Sequence, residues 1–270
     1  MTTLAQVRSD AVPVKTQELR YERHQTAAGG GRDPVVMLHP WFGCTRFWDR
    51  TAAALPDRER FVVDLYSLGA KPGWQEFAGP IGLSRAVEAF ADALGLERFC
   101  VIGNSMGGIA AQELASRLGG RISKLILVGT GARIVGVKPA WRKAMDDWMA
   151  GEADRAFTVQ MVDALIARRP DDPTEFESFV DAVVAANKLY MGAVLKTAYD
   201  LDLRPVLPRI SAATLVVRGE LDAARTSEHV AELVSGIPNV RAHEIPKAGH
   251  SPQVDSSEAF CPLVREFLDS

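Results

Sequence analysis

The chain has 270 residues, of which 47% are hydrophobic and 24% charged, and its formal net charge at pH 7 is -3. This length is long for one ordinary domain and short for two, so we expect one large core with an inserted segment. The composition excludes disordered, collagen-like and coiled-coil proteins, and the near balance of charges predicts no nucleic-acid partner and no membrane surface.

Short apolar runs, rich in β-branched residues and bounded by turn formers, recur along the chain. They lie at Val35–Leu38, Phe61–Val63, Phe99–Ile102, Lys124–Val128 and Thr214–Val217. Runs of this kind are typical of strands buried on both faces of a parallel sheet. Ahead of them, the alternation in Val14–His24 predicts an antiparallel edge strand, and Gly29–Gly31 predicts the turn into the core. We expect the residues before Pro13 to form a loose tail.

Segments with helical spacing alternate with these strands. They are Phe47–Leu55, Leu83–Leu96, Ile109–Leu118 and His229–Val234. A last strand is predicted at Val240–Ile245, followed by a final helix that Asp255-Ser-Ser-Glu258 opens and whose residues Phe260, Val264 and Phe267 face inward. This alternation predicts an α/β protein with a doubly wound, mostly parallel sheet.

The alternation is interrupted at residues 138–207, where no core-strand run occurs. Two helical segments are predicted there. The second opens at Asp172, with proline at the first helical position and glutamate three residues after the cap. The first carries an apolar stripe behind Pro139, made of Trp141, Met145, Trp148 and Met149. We therefore predict a helical insertion at 138–207 in a core domain made of residues 1–137 and 208–270.

The cysteines Cys44, Cys100 and Cys261 are too few for a disulfide framework, and none belongs to a C-x-x-C pair or a Cys/His cluster with metal-ligand spacing. The N-terminus lacks the apolar run of a signal peptide, and no stretch approaches the ~18 to 20 apolar residues of a membrane helix. We expect a cytoplasmic protein that uses no metal and no cofactor.

The strongest local motif is Gly103-Asn-Ser-Met-Gly107, which stands directly between a predicted strand and a predicted helix. A serine at such a sharp turn lies in strained backbone, so the residues two positions away must be small, as Gly103 and Gly107 are. The turn presents the hydroxyl of Ser105 at the carboxyl end of the sheet, beside a helix N-terminus that favours a developing negative charge. Ser105 is the predicted nucleophile.

A serine hydroxyl needs a base and a group that orients the base. His250 follows the last predicted strand in a loop with glycine and proline, and it therefore lies at the same sheet edge as Ser105. Asp222, in the loop after the preceding strand, is the predicted orienting carboxylate; Glu220 is closer to the strand end and is expected to point away or to bind the loop backbone. Surface or packing roles are predicted for three other histidines, His24, His229 and His243.

The order Ser, Asp, His, each after a successive parallel strand, is that of the α/β-hydrolase superfamily. The sequence resembles that superfamily over nearly its whole length. The resemblance implies the α/β-hydrolase fold, with a helical cap inserted after strand six and a catalytic triad of Ser105, Asp222 and His250. Some members place the acid after strand six, but Gly129–Arg133 holds no carboxylate. Ser105 also argues against the members with an aspartate nucleophile, such as haloalkane dehalogenases and epoxide hydrolases.

In this superfamily two backbone N–H groups form the oxyanion hole. The resemblance assigns one to Met106, the residue after the nucleophile, and the other to Trp41. The loop that holds Trp41 reads His39-Pro-Trp-Phe-Gly43, where relatives typically have His-Gly-x, and Pro40 has a fixed φ and no N–H. A second departure is Asp64–Gly69, where relatives generally show Asp-x-x-Gly-x-Gly.

The motifs together predict a cofactor-independent serine hydrolase that cleaves an ester, thioester or lactone of a small, largely apolar substrate. Two alternatives stay open. The nucleophile elbow, which is the strand–turn–helix segment around Ser105, also resembles that of hydrolases that cleave C–C bonds in aromatic ring-fission products. The same triad could therefore perform that reaction or a lyase reaction. The other alternative is a non-catalytic protein that binds a small molecule. Substrate contacts are predicted for His39, Phe42, Trp141 and Trp148.

Overall fold

The computed structural model describes residues 7–26, 31–134, 139–151 and 155–270. Eight strands form one sheet in the order β1-β2-β4-β3-β5-β6-β7-β8. The strands are β1 (Val7–Val14), β2 (Gln17–His24), β3 (Val35–Leu38), β4 (Arg60–Asp64), β5 (Phe99–Asn104), β6 (Ile122–Val128), β7 (Ala213–Gly219) and β8 (Val240–Ile245). Strands β3 to β8 pair in parallel, whereas β1–β2 and β2–β4 are antiparallel. The predicted doubly wound, mostly parallel sheet is confirmed.

Helices cover both faces of this sheet. Val36 and Leu38 of β3 belong to one hydrophobic core, and Val35 and Met37 belong to the other, because successive side chains of a strand point to opposite faces. The α-helices are α1 (Asp49–Ala54), α2 (Pro80–Ala93), α3 (Met106–Leu118), α4 (Pro139–Ala150), α5 (Arg155–Asp163), α6 (Pro173–Val184), α7 (Lys188–Tyr199), α8 (Ser227–Gly236), α9 (Pro252–Asp255) and α10 (Ser257–Asp269). Residues of α2 and α3 fill the first core, and residues of α1 and α10 fill the second.

The N-terminal segment differs from the prediction. Of the residues expected to be a loose tail, residues 7–12 belong to β1, which pairs with β2 through a tight turn in which Lys15 has a φ of 53°, and residues 1–6 lie outside the described residues. The edge strand of the sheet is therefore β1, and Pro13 is tolerated there because an edge strand has one side free of hydrogen bonds. The turn lacks the Asn-Gly signal of common hairpins. Part of the predicted turn at Gly29–Gly31 lies outside the described residues.

Four α-helices, α4 to α7, stand between β6 and β7, where two were predicted; we call residues 139–199 the helical insertion. Lys138, the predicted start, lies outside the described residues. The predicted cap at Asp172 is present, since its carboxylate accepts the N–H of Thr174 at 2.9 Å. Glu175 pairs with Arg50 instead of completing a capping box. Helix α7 escaped prediction because it is buried on several sides, which weakens the one-face periodicity of its apolar residues.

The C-terminal helix begins later than predicted. Phe260, Val264 and Phe267 are buried as expected, but α10 starts at Ser257, and Asp255 ends the separate short helix α9. The carboxylate of Asp255 therefore does not cap α10. It accepts two backbone N–H groups from other loops instead, at Gly249 and Ala167.

Across the described ranges, no single helix is long and apolar enough to cross a membrane. Helices α6 and α7 pass that test only as a pair, and a bend of 86° separates them. In the same part of the chain, His, Cys, Asp and Glu side chains form no group of three that could hold a metal ion.

Candidate active site

Ser105 occupies a strained turn between β5 and α3. Its φ of 51° and ψ of -113° are rare for a residue with a side chain. The flanking glycines are required by contact: a Cβ on Gly103 would lie 2.4 Å from the carbonyl oxygen of Gly107, and a Cβ on Gly107 would lie 2.4 Å from that of Leu38. The predicted strain and the need for small neighbours are both confirmed.

Two hydrogen bonds to the backbone of Ser105 hold this turn in place. The N–H of Ser105 donates to the carbonyl oxygen of Val128 at 2.9 Å, and the hydroxyl of Thr130 donates to the carbonyl oxygen of Ser105 at 2.8 Å. The hydroxyl of Ser105 itself caps no N–H group of α3, and the residue is partly exposed to solvent. The hydroxyl of Ser105 is therefore not used to cap the helix, and solvent can reach the residue.

Asp222 and His250 follow the adjacent parallel strands β7 and β8, and they meet in a buried hydrogen bond of 2.8 Å between Oδ2 and Nδ1. The other carboxylate oxygen of Asp222 accepts the N–H groups of Ala224 and Arg225, both at 2.9 Å. Burial alone would raise the pKa of the Asp222 carboxyl, but the bond to His250, its charge and the two N–H donors outweigh it and lower that pKa. Asp222 is thus an ionised acceptor at neutral pH.

This bond fixes the tautomer of His250. A carboxylate only accepts, so Nδ1 carries the proton and Nε2 keeps the lone pair that a general base needs.

Asn104 joins the His250 segment to the nucleophile turn. Its amide Nδ2 donates to the carbonyl oxygen of His250 at 3.1 Å, and its Oδ1 accepts the Ser251 hydroxyl and the Gln253 amide, both at 2.8 Å. Because Asn104 directly precedes Ser105, one buried side chain links the His250 segment to the turn of Ser105. The glycines of the motif predict the turn, whereas no sequence pattern indicates this role for its asparagine.

The loop that carries Asp222 is held by charged side chains at the end of β7. Arg218 donates from Nε to the carbonyl oxygen of Arg225 at 2.8 Å. Glu220 accepts the N–H of Lys247 at 2.8 Å, so it binds loop backbone, as expected from its place at the strand end. Arg218 was missed because a single arginine at a strand end has no distinctive pattern.

His39 supports the neighbouring loop instead of facing a substrate. It is fully buried, its Nε2 accepts the N–H of Leu65 at 3.0 Å, and its Nδ1 therefore donates to the carbonyl oxygen of Pro40 at 2.9 Å. Burial lowers the pKa of His39, which keeps the ring neutral. Both ring nitrogens are occupied, so neither is left for the predicted substrate contact.

The loop from His39 to Gly43 begins against the turn of Ser105, since a Cβ on Gly107 would lie 2.8 Å from the carbonyl oxygen of His39. The N–H of Gly43 donates to the carbonyl oxygen of Pro40 at 3.0 Å, which closes a tight turn with a φ of 63° at Phe42. Pro40 takes part in this turn only through its carbonyl oxygen, so the turn does not need the N–H that proline lacks. Among the turn and loop hydrogen bonds of the described residues, neither Trp41 nor Met106 donates its N–H.

A cavity of about 240 Å³ lies between this loop and helices α4 and α7. Trp41 and Phe42 form one wall, and the ring of Phe42 packs on that of Trp148 with centroids 5.3 Å apart. Trp141 is not among the lining residues; its indole N–H donates to the hydroxyl of Tyr199, which does line the cavity, at 3.1 Å. Of the predicted substrate contacts, the structure thus brings Phe42 and Trp148 to the cavity.

The three cysteines are buried and unpaired. Cys44 lies nearest to the site, and burial raises the pKa of its thiol to about 12. At neutral pH it is a protonated, unreactive thiol.

The sequence profile of the alpha/beta hydrolase family matches residues 35–263, and the chain belongs to this family. The relatives it resembles are hydrolases, and the protein is an enzyme of this class.

Two curated relatives and one solved structure illustrate the range of the family. The chain is 26% identical to 2-hydroxy-6-oxononadienedioate/2-hydroxy-6-oxononatrienedioate hydrolase 1 of Dechloromonas aromatica, over 99% of both chains. It is 28% identical to the pimeloyl-[acyl-carrier protein] methyl ester esterase of Vibrio campbellii, over 90% of this chain and 97% of the relative. The enol-lactonase of Burkholderia xenovorans superposes with a TM-score of 0.82 at 24% identity, covering 97% of this chain and all of that one, and shows the shared fold.

Proposed function

We propose that the protein is a cofactor-independent serine hydrolase that cleaves an ester, thioester or lactone of a small, neutral and largely apolar substrate. The observation that carries the proposal is the buried Asp222–His250 pair beside the strained turn of Ser105. Strain of this kind is kept in proteins where it positions a reacting group.

In the proposed mechanism Ser105 Oγ attacks the substrate carbonyl carbon while Nε2 of His250 takes the hydroxyl proton. The carbonyl oxygen becomes an oxyanion that accepts hydrogen bonds from the N–H groups of Met106 and Trp41. The imidazolium then gives its proton to the leaving group as the acyl-enzyme forms. Water repeats the sequence on the acyl-enzyme and releases the acid, and Asp222 holds the ring in one tautomer throughout.

The charges that line the cavity favour a neutral substrate. Two basic residues, Arg142 and Lys196, stand there with two acidic residues, Asp146 and Asp200. Lys196 pairs with Asp146 at 2.7 Å, and the guanidinium of Arg142 lies 4.4 Å from the ring centroid of Tyr199. Opposite charges therefore cancel along this lining, and both cations already have partners.

C–C bond hydrolysis is the second candidate, because a relative that matches over the full length carries it in its name. Its named substrate is a dicarboxylate. An enzyme that binds such an anion needs cations that the substrate can reach. The cations that line the cavity already have partners, which argues against a dicarboxylate substrate.

The proposal is tested by comparing two substrates and one covalent probe. A fluorophosphonate should label the protein once, at Ser105, because only an activated serine reacts. A p-nitrophenyl acyl ester should show a burst of nitrophenolate if deacylation is the slower step, because the acyl-enzyme then accumulates, and it should exceed a ring-fission dienoate in kcat/KM. Unlabelled Ser105 would point to a non-catalytic binding protein, and a preference for the dienoate would favour C–C hydrolysis.

The cavity should accept the acyl chain, which gives a prediction for Leu195 on α7. Leu195→Trp fills part of the cavity, so kcat/KM for a p-nitrophenyl hexanoate should fall about tenfold or more relative to the acetate. Leu189 on the same helix is 63% exposed, so Leu189→Trp is the matched control and should leave the chain-length profile unchanged. An unaltered profile in the Leu195 variant would place the acyl chain elsewhere.

A further inference from the structure

Asp255 is a buried carboxylate that the proposed mechanism does not use. It is 6% exposed, and its Oδ2 accepts two backbone N–H groups, from Gly249 at 2.9 Å and from Ala167 at 2.7 Å. Its other oxygen accepts the hydroxyl of Ser256 at 2.9 Å. The bond from Gly249 satisfies a donor in a buried residue, whereas Ala167 is exposed and its N–H gains a partner that water could otherwise supply.

The two donors come from parts of the chain that are remote in sequence. Gly249 directly precedes His250, whereas Ala167 lies in the helical insertion, between α5 and α6. The segments touch directly, because a Cβ on Gly249 would lie 2.5 Å from the nitrogen of Ala167 and 2.8 Å from Oδ2 of Asp255. One oxygen atom thus joins the base segment to the insertion.

His250 has two further attachments, and both come from the sheet domain. Asp222 holds its ring, and Asn104 holds its carbonyl oxygen. The bond to Gly249 adds a restraint on the residue before it, and through Ala167 this restraint depends on where the insertion lies. A hydrogen bond to a charged acceptor is stronger and more directional than one between neutral groups.

We propose that Asp255 is a positioning residue that sets the placement of His250 by tying it to the helical insertion. The inference rests on the proposed function, since His250 must act as the base for its placement to matter. Its effect is exerted in the chemical step, because a displacement of about 1 Å at a reacting group can cost on the order of a hundredfold in rate.

The test compares Asp255→Ala with Asp255→Asn, with kcat expressed per site labelled by a fluorophosphonate. Asp255→Ala removes the acceptor and should lower kcat about 10- to 100-fold with little change in KM. Asp255→Asn keeps an oxygen that can accept both N–H groups, so kcat should return to within about threefold of the unaltered protein. Glu258→Ala removes an exposed carboxylate three residues away and should have no effect.

A purely structural role would lower the melting temperature of Asp255→Ala and leave kcat per labelled site unchanged, and that result overturns the inference. If the alanine variant does not fold, amide hydrogen exchange in the unaltered protein decides. The N–H groups of Gly249 and Ala167 should both exchange slowly, and fast exchange at Ala167 would contradict the link. Ser105→Ala tests the proposed function separately, so failure of one proposal is distinguishable from failure of the other.

Discussion

Replacing Ser105 with alanine should lower the hydrolysis of a p-nitrophenyl acyl ester by at least about a thousandfold. The change removes the proposed nucleophile and leaves the backbone bonds of Ser105 to Val128 and Thr130 intact. Alanine meets the same strain at a φ of 51°, so the melting temperature should stay close to that of the unaltered protein. The measurement is steady-state kinetics beside thermal unfolding, and substantial residual activity would refute Ser105 as nucleophile.

Ser105→Gly is a matched control for the role of strain. It should be as inactive as the alanine variant, because it also lacks the hydroxyl. Glycine adopts positive φ without a steric penalty, so the free energy of unfolding should rise by about 1 to 3 kcal/mol. A glycine variant no more stable than the alanine variant would show that the turn stores no strain.

Replacing Asp222 with asparagine should lower kcat by roughly ten-thousandfold, although the two side chains have the same shape. The asparagine oxygen can still accept the N–H groups of Ala224 and Arg225. Its NH₂ group then faces Nδ1 of His250, which must become an acceptor. The proton moves to Nε2, and His250 can no longer take the proton of Ser105.

Glu220→Gln is the matched control, because Glu220 lies in the same loop and binds only the backbone of Lys247. The glutamine oxygen can accept that bond, so activity should change by less than about threefold. Equal losses in the two variants would contradict the assignment of Asp222. The lowered pKa of Asp222 adds a second readout: its charge stabilises the fold at neutral pH, and this contribution is lost as the pH falls through the pKa of the folded state. Asp222→Asn should therefore flatten the acid side of the stability profile.

The fold was predictable because the strand runs are uniformly apolar and sharply bounded. A strand such as Val35–Leu38 is buried on both faces, so its sequence admits few other structures. The hairpin of β1 and β2 was not predictable in full. Most of β1 is exposed, and its pairing depends on a tight turn at Lys15 that has no glycine or asparagine.

The site was predictable where chemistry and backbone geometry coincide. The turn around Ser105 is recognisable in the sequence because it requires glycine at two positions. A Cβ at Gly103 or Gly107 would collide with backbone atoms. The side chains that connect the loops around the site have no comparable sequence pattern. Asn104 and Asp255 each bind segments that are distant in sequence, and Asp255 even matched a helix-capping pattern that the structure does not use. Contacts of this kind depend on the folded arrangement and not on local spacing.

The bonds between the insertion and the catalytic loops suggest how enzymes of this architecture can diversify. The indole N–H of Trp41 donates to the carbonyl oxygen of Met191 at 3.0 Å, and Asp255 accepts the N–H of Ala167. Both partners in the insertion are backbone atoms, so neither bond depends on which side chains the insertion carries. The side chains of α4 and α7 can therefore change over generations while the path of the insertion keeps its bonds to Trp41 and Asp255.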